Sequence, residues 1–155
     1  MLNLTRQLVL TILSTGAVFC DLRYRIVPNF LIGLALIVGL VLAGVEGLEV
    51  LIKTILLSLV VSYPLYYGFE RGWMGGGDVK LVIATSIVAG EELAMTYFLC
   101  GTFGGGIVSL TSLVLSRART SEQKEQIIMV PYAAAYSLGV LLVQMITIIR
   151  DLPVP

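Results

Sequence analysis

The apolar stretches of this chain are too long and too continuous to be the core of a water-soluble domain. Blocks of about 11–23 residues follow one another with short charged islands between them, most of them close to the length a helix needs to cross roughly 30 Å of hydrocarbon. The chain is 57% hydrophobic and only 13% charged, with a mean hydropathy of +0.97. A soluble domain is nearer half apolar and a quarter charged. The alternation of a transmembrane barrel is absent. The expected fold is all-α: a polytopic membrane protein of about six transmembrane helices in one bundle, with residues 1–155 forming a single membrane-embedded domain and no room for a soluble one.

Six segments are read along the chain. The first runs from Leu4 to Cys20 and ends at Asp21-Leu22-Arg23-Tyr24-Arg25. Pro28 opens the second, which continues from Asn29 to Ala43, Pro being a natural first-turn residue. A short acidic turn with Glu46 and Glu49 leads to the third, Leu48 to Phe69, where Lys53 can snorkel to the interface. The fourth is Val79 to Ala89, preceded by Gly75-Gly76-Gly77-Asp78 and closed by Gly90-Glu91-Glu92. The fifth is Leu93 to Leu115, in which Gly101 and Gly105 suit close helix packing. A polar loop, Ser116 to Gln126, precedes the sixth, Ile127 to Ile149.

With the Asp21, Asp78 and Ser116–Gln126 islands in the cytoplasm, that side carries Arg23, Arg25, Arg71, Lys80, Arg117, Arg119 and Lys124. The other side keeps only Arg6, Lys53 and Arg150. This satisfies the positive-inside rule and puts Asp21 and Asp78 on one face. The fourth segment is short: from Asp78 to its end is roughly 18 Å of helix against about 30 Å of hydrocarbon. Asp78 is therefore expected below the membrane surface. Irregular backbone at that depth must be buried in protein or line a wet cavity, so the glycine run is expected to line one.

The chain has no histidine. That removes Ser-His-Asp and Cys-His catalysis and any HExxH zinc site. The two cysteines, Cys20 and Cys100, form no CxxC pair, so no metal module or disulfide framework is indicated. Zero net charge and short loops argue against a nucleic-acid partner. Hydrolysis then rests on carboxylates or on a Ser-Lys pair, and the serines, Ser58 and Ser86, fall in mid-membrane, away from Lys80.

Each acid has a plain structural reading beside the catalytic one. Asp78 can cap the fourth helix, and Asp21 can be a solvated loop acid balanced by Arg23 and Arg25. As a pair they fit aspartic catalysis, in which one carboxylate activates water and the other, protonated, donates to the carbonyl or leaving nitrogen. Asp78 at a helix N-terminus and Asp21 near a C-terminus suggest that Asp78 is the ionised member. The glycines allow close approach of another backbone and suit a peptide laid alongside as an added strand. Lys80 reads as an interface anchor, and Tyr132 as an interfacial or cavity-lining ring.

Asp21-x-Arg23-x-Arg25-x-Val27-Pro28-Asn29, taken with Gly75-Gly76-Gly77-Asp78-Val79-Lys80-Leu81, resembles the type IV prepilin peptidases, membrane aspartic proteases of the GxGD class. Val27 stands where isoleucine is usual, and Val130-Pro131-Tyr132-Ala133 resembles a weaker stretch in the family's last helix. The resemblance implies that Asp21 and Asp78 are the catalytic pair, with Gly75, Gly76, Gly77, Lys80, Pro28, Asn29, Arg23, Arg25, Pro131 and Tyr132 in support and no metal or cofactor. It implies a prepilin or pseudopilin precursor as partner, cleaved after its short basic leader at the cytoplasmic face of the cell membrane. The extra N-terminal region with paired CxxC motifs that accompanies N-methylation in larger members has no counterpart here, so the short, peptidase-only form is expected. Archaeal preflagellin peptidases share the same logic. A small ion- or proton-coupled transporter component is the alternative from another class, although no internal repeat supports it.

Overall fold

The structure, a computed structural model, describes residues 2–72, 75–118 and 132–151. It is all-α among these residues, with six helices: α1 Leu2–Tyr24, α2 Asn29–Glu46, α3 Leu48–Glu70, α4 Gly76–Ala89, α5 Ala94–Ala118 and α6 Tyr132–Asp151. They run up and down in sequence order: the ends of α1 and α3 lead into the starts of α2 and α4, and the start of α6 lies against Gly105, midway along α5. Asn29–Glu46, Leu48–Glu70 and Tyr132–Ile149 are each long and apolar enough to cross a membrane.

α4 is the organising element. It has 14 residues, nine of them buried, and about 21 Å of length at the usual rise of ~1.5 Å per residue. Every other helix exposes large apolar side chains, among them Phe19, Phe30, Val60, Phe103 and Leu142, whereas α4 exposes none. A helix that is apolar all round belongs inside. The surrounding helices therefore cover most of this short element.

Several connections are tighter than the sequence suggests. The expected acidic turn at Glu46 and Glu49 does not exist, because α2 runs through Glu46 and Gly47 alone joins it to α3. Gly47 does this at φ 139, where a side chain would be strained, and its N–H donates to the Ala43 carbonyl at 3.2 Å. Pro28 sits one position before the first turn, as the extended N-cap residue of α2. α1 continues through Asp21 to Tyr24 and closes when Arg25, at φ 54, donates its N–H to the Asp21 carbonyl at 2.9 Å.

The α5–α6 seam depends on small residues. Gly101 and Gly105 do serve packing, but what they receive is tyrosine: Tyr136 lies against Gly101 and Tyr132 against Gly105. Backbones approach most closely beside Gly139, where an added Cβ would lie 2.7 Å from the Cys100 carbonyl oxygen and 2.9 Å from Gly101 Cα. Neither backbone can yield without parting the helices. Gly139→Ala is expected to cost about 1–3 kcal/mol, as overpacking does. Gly33→Ala, where a Cβ meets nothing within 4 Å, should be neutral or stabilise by up to ~1 kcal/mol, the helical preference of Ala over Gly. Thermal unfolding of the two variants in detergent measures the contrast, and equal shifts would contradict it.

Candidate active site

Asp21 is the residue whose setting differs most from expectation. It is not a solvated loop acid. It lies in the last turn of α1, only 7% exposed, and its Oδ2 accepts the N–H of Ala134 in the first turn of α6 at 2.7 Å. That N–H belongs to a group with no acceptor inside its own helix, so Asp21 closes the N-terminus of α6 from another element. Neither arginine balances it: among the described residues no ion pair joins Asp21 to Arg23 or Arg25. Both arginines are exposed, and Arg23 stacks over Tyr24 at 5.8 Å.

Asp78 is the third residue of α4 rather than its N-cap. Its Oδ2 accepts the Gly75 N–H at 3.2 Å, the reach-back half of a capping box. Gly75 has no side chain, so the other half is missing. Nor is most of the glycine run irregular backbone. Only Gly75 is extended, while Gly76 and Gly77 already belong to the helix. The capping bond and the burial of the next turn draw them in despite glycine's poor helical propensity. Phe69 lies against Gly76, whereas Gly77 has open space beside it.

The carboxylates of Asp21 and Asp78, 57 positions apart in sequence, come close enough to act on each other electrostatically, and Tyr132 feels Asp78 as well. Each of the two acids receives a backbone N–H near a helix N-terminus. The contrast expected between a helix start for Asp78 and a helix end for Asp21 is therefore offset by α6, and helix-end electrostatics no longer singles out Asp78 as the ionised member.

Lys80 projects toward α2, where its Nζ donates to Asn29 Oδ1 at 3.2 Å. This bond ties the second turn of α4 to the first residue of α2, and so joins the two sequence motifs directly. Ser58 and Ser86 are buried and Ser58 Oγ bonds within its own helix, to the Ile55 carbonyl at 2.8 Å. Cys20 and Cys100 are free. Among the described residues no cluster of three or more His, Cys, Asp or Glu could hold a metal ion. Pro131, Trp73, Met74 and most of the 116–126 loop lie outside the described residues.

One functionally placed residue escaped sequence reasoning. Arg6, counted there as a flank of the first segment, is 6% exposed. Its guanidinium pairs with Glu46 at 2.7 and 3.1 Å and donates to the Val88 carbonyl at 2.7 Å. It therefore grips the far end of the helix that carries Asp78. An arginine near the start of an apolar block looks like an interfacial anchor, and nothing local says that its partners lie 40 and 82 positions away.

Fold and site together define a class: an all-α membrane bundle presenting two neighbouring acids at one end, around the start of a short central helix. The sequence model of the type IV leader peptidase family matches residues 8–110, well over half of the chain and including both the Asp21 and the Asp78 motifs. The chain belongs to that family and is a membrane peptidase. No curated protein and no solved structure matches it.

Proposed function

We propose that this chain is an aspartic endopeptidase that removes the short basic leader of prepilin or pseudopilin precursors at the cytoplasmic face of the cell membrane, with Asp21 and Asp78 as the acid–base pair. The observation that carries the reading is that Asp78 lies within electrostatic reach of Asp21, with Asp21 buried and pinned by α6 and Asp78 in the first turn of the largely buried α4. In the reaction, the ionised carboxylate takes a proton from water as the water oxygen attacks the scissile carbonyl carbon. The protonated carboxyl gives its proton to the carbonyl oxygen. Collapse of the tetrahedral intermediate then breaks the C–N bond as a proton passes to the leaving nitrogen. The two acids share that proton.

The glycines take a more specific role than that of a strand partner. Gly76 and Gly77 are the first two helical residues of α4, whose N–H groups have no intrahelical acceptor by helix geometry. Such donors suit an oxygen on which negative charge develops, and the open side of Gly77 admits a substrate backbone. Lys80 and Asn29 hold α2 and α4 in register beside them. Residues 1–155 act as one peptidase domain, and the excess of Lys and Arg around the acids supports a cytoplasmic site.

Co-expression with a tagged prepilin-type precursor tests the reading. The expected result is a shorter product whose new N-terminus lies just before the precursor's hydrophobic helix, formed at the same rate with and without a metal chelator. An uncut precursor, or cleavage abolished by the chelator, would overturn it.

A further inference from the structure

α6 lays two tyrosines across α5. Tyr132 and Tyr136 are four residues apart and so share one face of their helix, and they rest on Gly105 and Gly101, also four apart. The inner of the two is fully committed. The Tyr136 hydroxyl lies 2.8 Å from Thr85 Oγ1 on α4. Because the Thr85 hydroxyl gives its own proton to the Val82 carbonyl at 2.9 Å, Tyr136 is the donor. Both side chains are buried.

The outer tyrosine is set differently. A Cβ added at Gly105 would lie 3.0 Å from Tyr132 Cε2 and 3.4 Å from Cζ, so the hydroxyl-bearing edge of the ring rests there. Thr102 adjoins that hydroxyl, yet the buried Thr102 Oγ1 makes no hydrogen bond. The pair is therefore not locked as Tyr136 and Thr85 are. Asp78 precedes Thr85 by seven residues, two turns of α4, and shares the face that Tyr136 meets. Leu81 and Val82, between them, are apolar and buried. Asp78 is thus the next group on that face able to meet a hydroxyl, and it lies within electrostatic reach of Tyr132. The same first turn of α6 gives the Ala134 N–H to Asp21.

We propose that the Tyr132 hydroxyl is a third catalytic group, donating a hydrogen bond to the scissile carbonyl oxygen as negative charge develops there. The proposal rests on the peptidase reading above and deepens it. Each acid already accepts a backbone N–H and has a proton to move. A phenolic O–H keeps its proton throughout the range in which carboxylates titrate, so it stays a donor at every stage. Its bond strengthens with the charge on the oxygen and so favours the transition state over the bound substrate.

Initial rates over a range of precursor concentrations, measured with the full chain in detergent, test the assignment. Tyr132→Phe keeps the ring on Gly105. It should lower kcat by about 10²–10³-fold, as loss of one oxyanion donor does, with KM changed less than about threefold and the pH–rate profile unmoved. Tyr136→Phe removes the matching hydroxyl one turn further in. It should lower the unfolding midpoint and leave the specific activity of the folded enzyme near that of wild type. A Tyr132→Phe enzyme as fast as wild type, a loss confined to KM, or an equal loss in Tyr136→Phe would overturn the assignment and leave the peptidase reading standing. A displaced pH–rate profile would do the same, by giving the hydrogen bond to Asp78 instead. A wild-type chain that cuts no precursor overturns both.

Discussion

Asp78→Asn lowers the initial rate of precursor cleavage by about 10²–10⁴-fold, the range general acid–base groups supply, while the protein stays folded. The amide keeps an oxygen that can accept the Gly75 N–H, so the first turn of α4 retains its bond. Asp21→Asn produces a loss of the same order for the same reason, since its side-chain oxygen still accepts from Ala134. Asp21→Ala separates two roles. It loses the rate and also leaves the α6 N–H unpaired, which costs about 0.5–2 kcal/mol, as for other removed caps. Single-turnover cleavage and thermal unfolding, measured on the same preparations, check the set. If Asp21→Asn cuts the precursor at the wild-type rate, Asp21 is only the cap of α6. The double Asn variant should be little worse than either single one, because residues that act as a unit are strongly non-additive.

Arg6→Leu has the largest expected effect on stability. Its side chain and that of Glu46 are 7% and 25% exposed, so removing one strands a largely buried carboxylate and two carbonyls at the end of α4. Breaking such a pair costs about 3–5 kcal/mol, whereas replacing both partners by apolar groups is often close to neutral. Arg6→Leu/Glu46→Leu should therefore recover most of the loss. The residual deficit reports the bonds to the Ile87 and Val88 carbonyls. Unfolding midpoints of the two single variants and the double one complete the cycle. Simple additivity would show that the pair is not coupled. Because Arg6 holds the opposite end of the Asp78 helix, the specific activity of the folded fraction should fall as well, which the cleavage assay measures beside the midpoints.

How legible the molecule was depends on the distance over which each residue finds its partners. Membrane residence, six helices and their up-and-down order follow from composition and block length, because burial of apolar surface in hydrocarbon is nearly independent of which helix does the covering. The motifs around Asp21 and Asp78 and their placement on one face follow from local residues and charge sidedness. That α4 begins at Gly76 was not legible, since helical propensity argues against Gly76 and Gly77 in a helix and the return bond from Asp78 helps draw them in. Nor does the sequence hold any local sign that Asp21 is pinned by α6, that Lys80 reaches Asn29 or that Arg6 grips α4. These bonds join residues 113, 51 and 82 positions apart. Fold class and candidate acids were thus determined by the sequence alone, through short-range pattern and solvent preference. Tertiary structure decided which helix lies at the centre and what each charge touches, because a buried polar group takes whichever partner packing brings within about 3 Å.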